Sequence, residues 1–303
     1  MEKPVRHFRS LRDLEPDDLR ALIEHALRLK SGSEAVGRPL EGRTLAMIFR
    51  KRSTRTRVSF AAGISQLGGV GIGLSDEESH LGRGEALADT ARVLSRYVDG
   101  ILIRTFAQTE IEELAHHGSV PVINGLTDLL HPCQLLADLL TLREEFGPEL
   151  EELRIAWIGD GNNMANSWLN AATMLGFELR LAVPEGYDPD PDILAGARAG
   201  GSVLLTRDPE EAADGAHAVC TDTWASMGKE AEAKERLQSF AGFQVAPETM
   251  EIARPDAIFL HCLPAHRGEE VAEEVIDGPR SRVFDEAENR LHAQKALLIR
   301  LLK

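Results

Sequence analysis

Short apolar runs alternate with helical periodicity along most of the chain. The first periodic segment spans 14–30: Glu15-Pro16-Asp17-Asp18 opens it, and Leu19, Leu22, Ile23, Ala26, Leu27 and Lys30 form its stripe. Apolar runs at 44–49, 70–74, 100–103 and 120–123 follow, separated by helical patterns at 56–67, 85–97 and 109–117. A longer pattern covers 132–146, with Pro132 suited to its first turn. A second series has strand candidates at 153–158, 178–183, 202–205, 217–221 and 256–260, and a final helical pattern spans 285–302. Continuous apolar strands alternating with helices predict α/β architecture with two domains, each a parallel sheet flanked by helices. The expected boundaries are 1–146 and 147–287, with a C-terminal helix at 288–303 packing back on the first domain.

Ligands in such sheets bind at the carboxyl ends of strands. In the first domain those ends offer Arg50–Arg57, then Arg104-Thr105, then Asn124-Gly125 leading to His131-Pro132-Cys133-Gln134. In the second they offer Gly159-Asp160-Gly161-Asn162-Asn163, then Asp222 to Gly228, then His261-Cys262-Leu263-Pro264. Anion donors crowd the first set, and polar and acidic groups the second, which predicts two substrates.

The run Arg50-Lys51-Arg52-Ser53-Thr54-Arg55-Thr56-Arg57 places five basic residues among eight, in a chain of 303 residues whose formal net charge is −15. It stands where a strand ends and a helix begins, so free N–H groups, the helix dipole and hydroxyls converge on an anion. The acid excess argues against a nucleic-acid or anionic-membrane partner. No glycine lies between Arg43 and Gly63, which excludes a phosphate-binding P-loop. Cys133, Cys220 and Cys262 lack metal-type spacing and argue against a disulfide framework. With no apolar signal core at the N-terminus and no membrane-length run, the expectation is a cytoplasmic protein without metal or cofactor.

Phe49-Arg50-Lys51-Arg52-Ser53-Thr54-Arg55-Thr56, Arg104, His131-Pro132-Cys133-Gln134 and His261-Cys262-Leu263-Pro264 resemble, in order and spacing, the motifs of the aspartate/ornithine carbamoyltransferase family. Asp222-Thr223-Trp224-Ala225-Ser226-Met227-Gly228 resembles its ornithine branch. The resemblance implies transfer of a carbamoyl group from carbamoyl phosphate to the δ-amine of ornithine, giving citrulline and phosphate. It implies that Ser53, Thr54, Arg55 and Thr56 hold the phosphate end. Arg104, His131 and Gln134 polarise the carbamoyl carbonyl, with Cys262, Leu263 and Arg290 also contacting carbamoyl phosphate. Asn163, Asp222, Ser226 and Met227 would bind ornithine. The catalytic set is then Arg104, His131, Asp222 and Cys262. His80 stands where the branch commonly has Gln and would reach a neighbouring subunit, implying a homo-oligomer built from trimers. Arg50 stands where the family often has Glu, and its expected place is peripheral.

Other readings stay open. Putrescine, N-acetylornithine or aspartate are alternative acceptors, although the Asp222 segment favours ornithine. Gly159-Asp160-Gly161 after a strand suggests an NAD-dependent oxidoreductase, but Met164 replaces the third glycine. Cys133 and Cys220 read as structural, Trp224 as packing, and His116-His117 as a solvated helix end. Asp285, Glu286 and Glu288 read as an exposed helix start whose acids suit the dipole.

Overall fold

A computed structural model describes residues 6–75, 84–224 and 233–303. Two compact units divide the chain: Met1–Leu140 with Glu288–Lys303, and Thr141–Ala287.

The first unit holds a four-stranded parallel sheet of β1 (Thr44–Phe49), β2 (Val70–Ser75), β3 (Gly100–Arg104) and β4 (Val122–Leu126). Their spatial order is β2-β1-β3-β4. Helices α1 (Pro16–Ser31), α2 (Arg55–Gln66), α3 (Leu87–Leu94) and α4 (Gln108–His117) accompany it. Helix α5 (Pro132–Phe146) contains the division between units. β1 and β3 are buried almost throughout, which is why they read as unbroken apolar runs. Ala46, Ile48, Ile101, Ile103 and Val122 meet Ala91, Ile111 and Leu114 of α3 and α4 in one core. Full burial of each larger aliphatic side chain contributes about 1.5–3 kcal/mol. The edge strand β2 is different: Val70 and Ile72 are exposed.

The second unit holds β5 (Arg154–Ile158), β6 (Glu178–Ala182), β7 (Val203–Thr206), β8 (Ala218–Thr221) and β9 (Ile258–His261), all parallel, in the order β7-β6-β5-β8-β9. Its helices are α6 (Asn163–Leu175), α7 (Pro191–Gly200), α8 (Pro209–Ala213), α9 (Ala233–Ser239), α10 (Pro247–Ile252) and α11 (Glu273–Ile276). The last helix, α12 (Val283–Leu302), starts here and ends in the first unit.

Strand order fixes where ligands can sit. In the first sheet the chain runs from β1 to β2, then crosses to the other side of β1 for β3. In the second it runs β5, β6, β7, then crosses to β8 on the far side of β5. Each reversal leaves a crevice at the carboxyl ends of the two central strands. Arg50–Arg57 and Arg104 end β1 and β3, while Gly159–Asn163 and Asp222–Trp224 end β5 and β8.

Three expectations shift. β4 lies at 122–126, not 120–123. Asn124 and Gly125, expected just past the strand, are inside it: fully buried Asn124 donates through Nδ2 to the Arg9 carbonyl at 2.8 Å, so its amide donor is paired without leaving the sheet. Glu286 is not exposed. It is 1 % accessible and accepts the His261 backbone N–H at 2.9 Å, a tertiary bond that overrides placement at a helix start. Arg50 is half-buried, its guanidinium paired with Glu110, which also accepts the Thr105 hydroxyl.

Candidate active site

The turn after β1 delivers Ser53 and Thr54 to the start of α2, with Arg55 and Thr56 in its first turn. Thr54 makes no side-chain cap, and the first turn of α2 presents the positive end of the helix dipole, which suits an anion. The basic run divides by role. Arg50 pairs with Glu110, and Lys51 pairs with Asp128 while lying 4.6 Å over the Phe106 ring. Arg57 stacks 4.7 Å over Phe49. Arg55 instead acts on His131, together with Arg104 and Arg290.

His131 is buried ahead of α5. Burial and then the nearby Arg290, Arg104 and Arg55 guanidiniums hold its pKa well below the ordinary histidine value. It is therefore a neutral imidazole among three cations and can donate one N–H to a ligand oxygen without adding charge. Arg290, on α12 and 2 % accessible, donates to Gln134 Oε1 and, at 2.9 Å, to Thr56 Oγ1. Gln134 Nε2 donates to Asp138 at 2.8 Å. The structure thus gathers Arg55, Thr56, Arg104, His131, Gln134 and Arg290 in the first unit, with the Thr56 hydroxyl serving Arg290. Cys133 points to packing: its Sγ contacts the Asn124 carbonyl at 3.2 Å, and burial pushes its thiol up to about 12.

The neutral state of His131 has a consequence for acid stability. The unfolded chain binds a proton near pH 6.5 that the folded site refuses, so stability is lost as pH falls below that value. Burial likewise lowers His7, His217 and His292. We expect His131→Gln to lose less stability than the parent between pH 6.5 and 5, by up to about 1.4 kcal/mol per pH unit, read from urea midpoints.

In the second unit, Asn162 caps α6: its Oδ1 accepts from Met164 N at 2.8 Å and Ala165 N at 3.2 Å. Its Nδ2 donates to Asp222 Oδ2 at 2.9 Å. Asp222 Oδ1 accepts from Thr223 N at 2.8 Å and from the Cys262 thiol at 3.2 Å. Asn163 begins α6 beside this cap. Asn162 was missed as a site residue, although an asparagine immediately before a helical run is a legible capping signal. At the end of β9, His261 is held through both ring nitrogens. Its Nδ1 accepts the Leu263 N–H at 2.8 Å, so its proton is on Nε2, which donates to Glu270 Oε1 at 3.1 Å. This holds Leu263 at φ +56°, the one positive-φ residue other than glycine among the described residues.

Ser226, Met227 and His80 lie outside the described residues. The Gly159-Asp160-Gly161 turn has a packing reason: a Cβ on Gly161 would lie 2.3 Å from Pro189 N and 2.4 Å from Tyr187 O. That close approach accounts for the glycine without a dinucleotide.

A family profile described as aspartate/ornithine carbamoyltransferase, carbamoyl-P binding domain, matches residues 6–144. The partner profile, Asp/Orn binding domain, matches residues 151–301. The chain belongs to the aspartate/ornithine carbamoyltransferase family. Among relatives in this family, the ornithine carbamoyltransferase of Pelobacter propionicus is 56% identical over 302 residues, covering 98% of this chain and 99% of that protein. The crystal structure of ornithine carbamoyltransferase from Thermus thermophilus matches with a TM-score of 0.90 and 46% identity, covering 98% of this chain and 99% of that one. That from Pyrococcus furiosus matches with a TM-score of 0.94 and 47% identity, covering 100% and 99%. The family's carbamoyltransferases thus share this two-sheet α/β architecture. No helix among the described residues is long and apolar enough to cross a membrane.

Proposed function

We propose that the chain is an enzyme that moves the carbamoyl group of carbamoyl phosphate to the δ-amine of L-ornithine, releasing L-citrulline and phosphate in arginine metabolism. The observation that most supports this is a neutral His131 held among Arg55, Arg104 and Arg290 at the β1/β3 crevice. Such a cluster suits a small dianion with a carbonyl to polarise. The first unit takes carbamoyl phosphate, with Ser53, Thr54, Arg55 and Thr56 on the phosphate. Arg104, His131, Gln134 and Arg290 face the carbamoyl head. Guanidinium and imidazole donors stabilise the oxygen that gains charge in the tetrahedral intermediate.

The second unit takes ornithine, with Asn163 and Asp222 on its polar groups and Cys262 and Leu263 beside the reacting atoms. The lone pair of the δ-amine attacks the carbamoyl carbon, the bond to the phosphate oxygen breaks, and phosphate departs with the electron pair. The amine proton passes to Asp222 or to the departing phosphate. Joining two oriented substrates supplies a large part of the rate. Relatives that are 52–56% identical over nearly their full length and named for ornithine support the acceptor.

A citrulline assay with carbamoyl phosphate and a panel of ornithine, putrescine, N-acetylornithine and aspartate tests this reading. Turnover of ornithine at least about 100-fold faster than the rest is expected, because a site built for charged polar groups discriminates strongly. Faster carbamoylation of another acceptor would replace ornithine with it. Cys262→Ser should reduce citrulline formation about tenfold, since the hydroxyl keeps the bond to Asp222 but changes its length and acidity. Complete loss in a folded variant would give the thiol a larger part.

A cytoplasmic homotrimer completes the reading. Three free thiols suit a reducing compartment. The exposed apolar positions Val58, Val70 and Ile72 on α2 and the edge strand β2 favour coverage by another copy. Light scattering should return three times the chain mass, or a multiple of that.

A further inference from the structure

Arg236, on α9, is 4 % accessible and carries one of the most buried charges in the second unit. Its NH1 donates to Asp160 Oδ2 at 2.7 Å and to the Trp224 carbonyl at 2.7 Å. Its guanidinium lies 4.9 Å from the Tyr187 ring centroid and 5.9 Å from that of Phe240. Asp160 follows β5 and Trp224 follows β8, the two strands that flank the crevice of this sheet. A second link joins the same two turns: Asn162 Nδ2 to Asp222 Oδ2. One cation therefore staples the turn bearing Asn162 and Asn163 to the turn bearing Asp222.

We propose that Arg236 is a positioning residue for the amine acceptor: through Asp160 and Trp224 it sets the spacing between the Asn162–Asn163 turn and Asp222. The proposal rests on the assignment of ornithine to these turns. Two arguments favour position over stability. A buried ion pair gains little over well-packed apolar groups of the same size, because removing two charges from water offsets their attraction. The guanidinium also spends the same nitrogen on a backbone carbonyl, which an ion pair alone does not need. The Tyr187 ring, its centroid 4.9 Å from the guanidinium carbon, restricts the direction in which that nitrogen points.

The test uses the full chain and two variants. Asp160→Asn/Arg236→Met removes both charges together, so no lone buried charge is left behind. Arg236→Lys keeps the charge and loses the planar group. Thermal unfolding reports the fold, equilibrium titration reports carbamoyl phosphate binding, and citrulline formation gives KM and kcat for ornithine. We expect the double variant to melt within a few degrees of the parent and to bind carbamoyl phosphate within about twofold. Its KM for ornithine should rise about tenfold or more, with a smaller rise in Arg236→Lys, as expected when an orienting contact loosens. An unchanged ornithine KM in the folded double variant would overturn the proposal. So would equal weakening of both substrates, or a double variant that does not fold, since the pair would then support the whole unit. A parent protein that makes no citrulline from ornithine would instead sink the functional assignment.

Discussion

Arg55→Ala is expected to weaken carbamoyl phosphate binding about 100-fold while leaving the fold intact. The figure follows from about 3 kcal/mol for removing one partner of a desolvated charge pair. Arg55 begins α2 and is one of three guanidiniums acting on His131. Removing it takes away a charge that nothing at the same place replaces. The fold should survive because Arg55 is only half-buried and the core of the first unit lies elsewhere. Calorimetric titration with carbamoyl phosphate reads the loss, and thermal unfolding reads the fold. An affinity within about twofold of the parent would remove Arg55 from the phosphate site.

The second large effect is expected at Asp222. Asp222→Asn keeps the volume but turns an acceptor-only group into one that also donates. In the parent, both carboxylate oxygens accept: one from Asn162, the other from Thr223 N and the Cys262 thiol. An amide cannot satisfy that set in either orientation, and it carries no charge for an ammonium group. We expect kcat/KM for ornithine to fall about 1,000-fold, near 4 kcal/mol, with carbamoyl phosphate affinity unchanged within about twofold. Equal losses for the two substrates would contradict the assignment of one substrate to each unit.

Much of this architecture was legible in the chain because its central strands are buried on both faces. Thr44–Phe49 and Arg154–Ile158 read as apolar runs since both sides of each sheet are covered. The position of the basic run also follows from short-range signals, an apolar strand followed at once by helical periodicity. Long-range satisfaction was not legible. Asn124 looked like a loop residue because its partner, the Arg9 carbonyl, comes from the far N-terminus. Glu286 looked like a solvated acid because its donor is the backbone of His261. Arg236 sits in a polar heptapeptide helix, Ala-Lys-Glu-Arg-Leu-Gln-Ser, whose composition gives no hint of a buried charge. Each of these residues is polar and bonded to groups distant in sequence, and local periodicity contains no information about such partners.

The two reversals of strand order carry an evolutionary corollary. Each crevice arises from the path of its own sheet, so donor chemistry and acceptor choice are inherited on separate stretches of polypeptide. On the proposed assignment, substitutions around Asn162 and Asp222 would retune which amine is accepted while the arginine-bearing turn stays untouched. A lineage could thus explore new nucleophiles without having to reinvent the handling of the activated carbamoyl group.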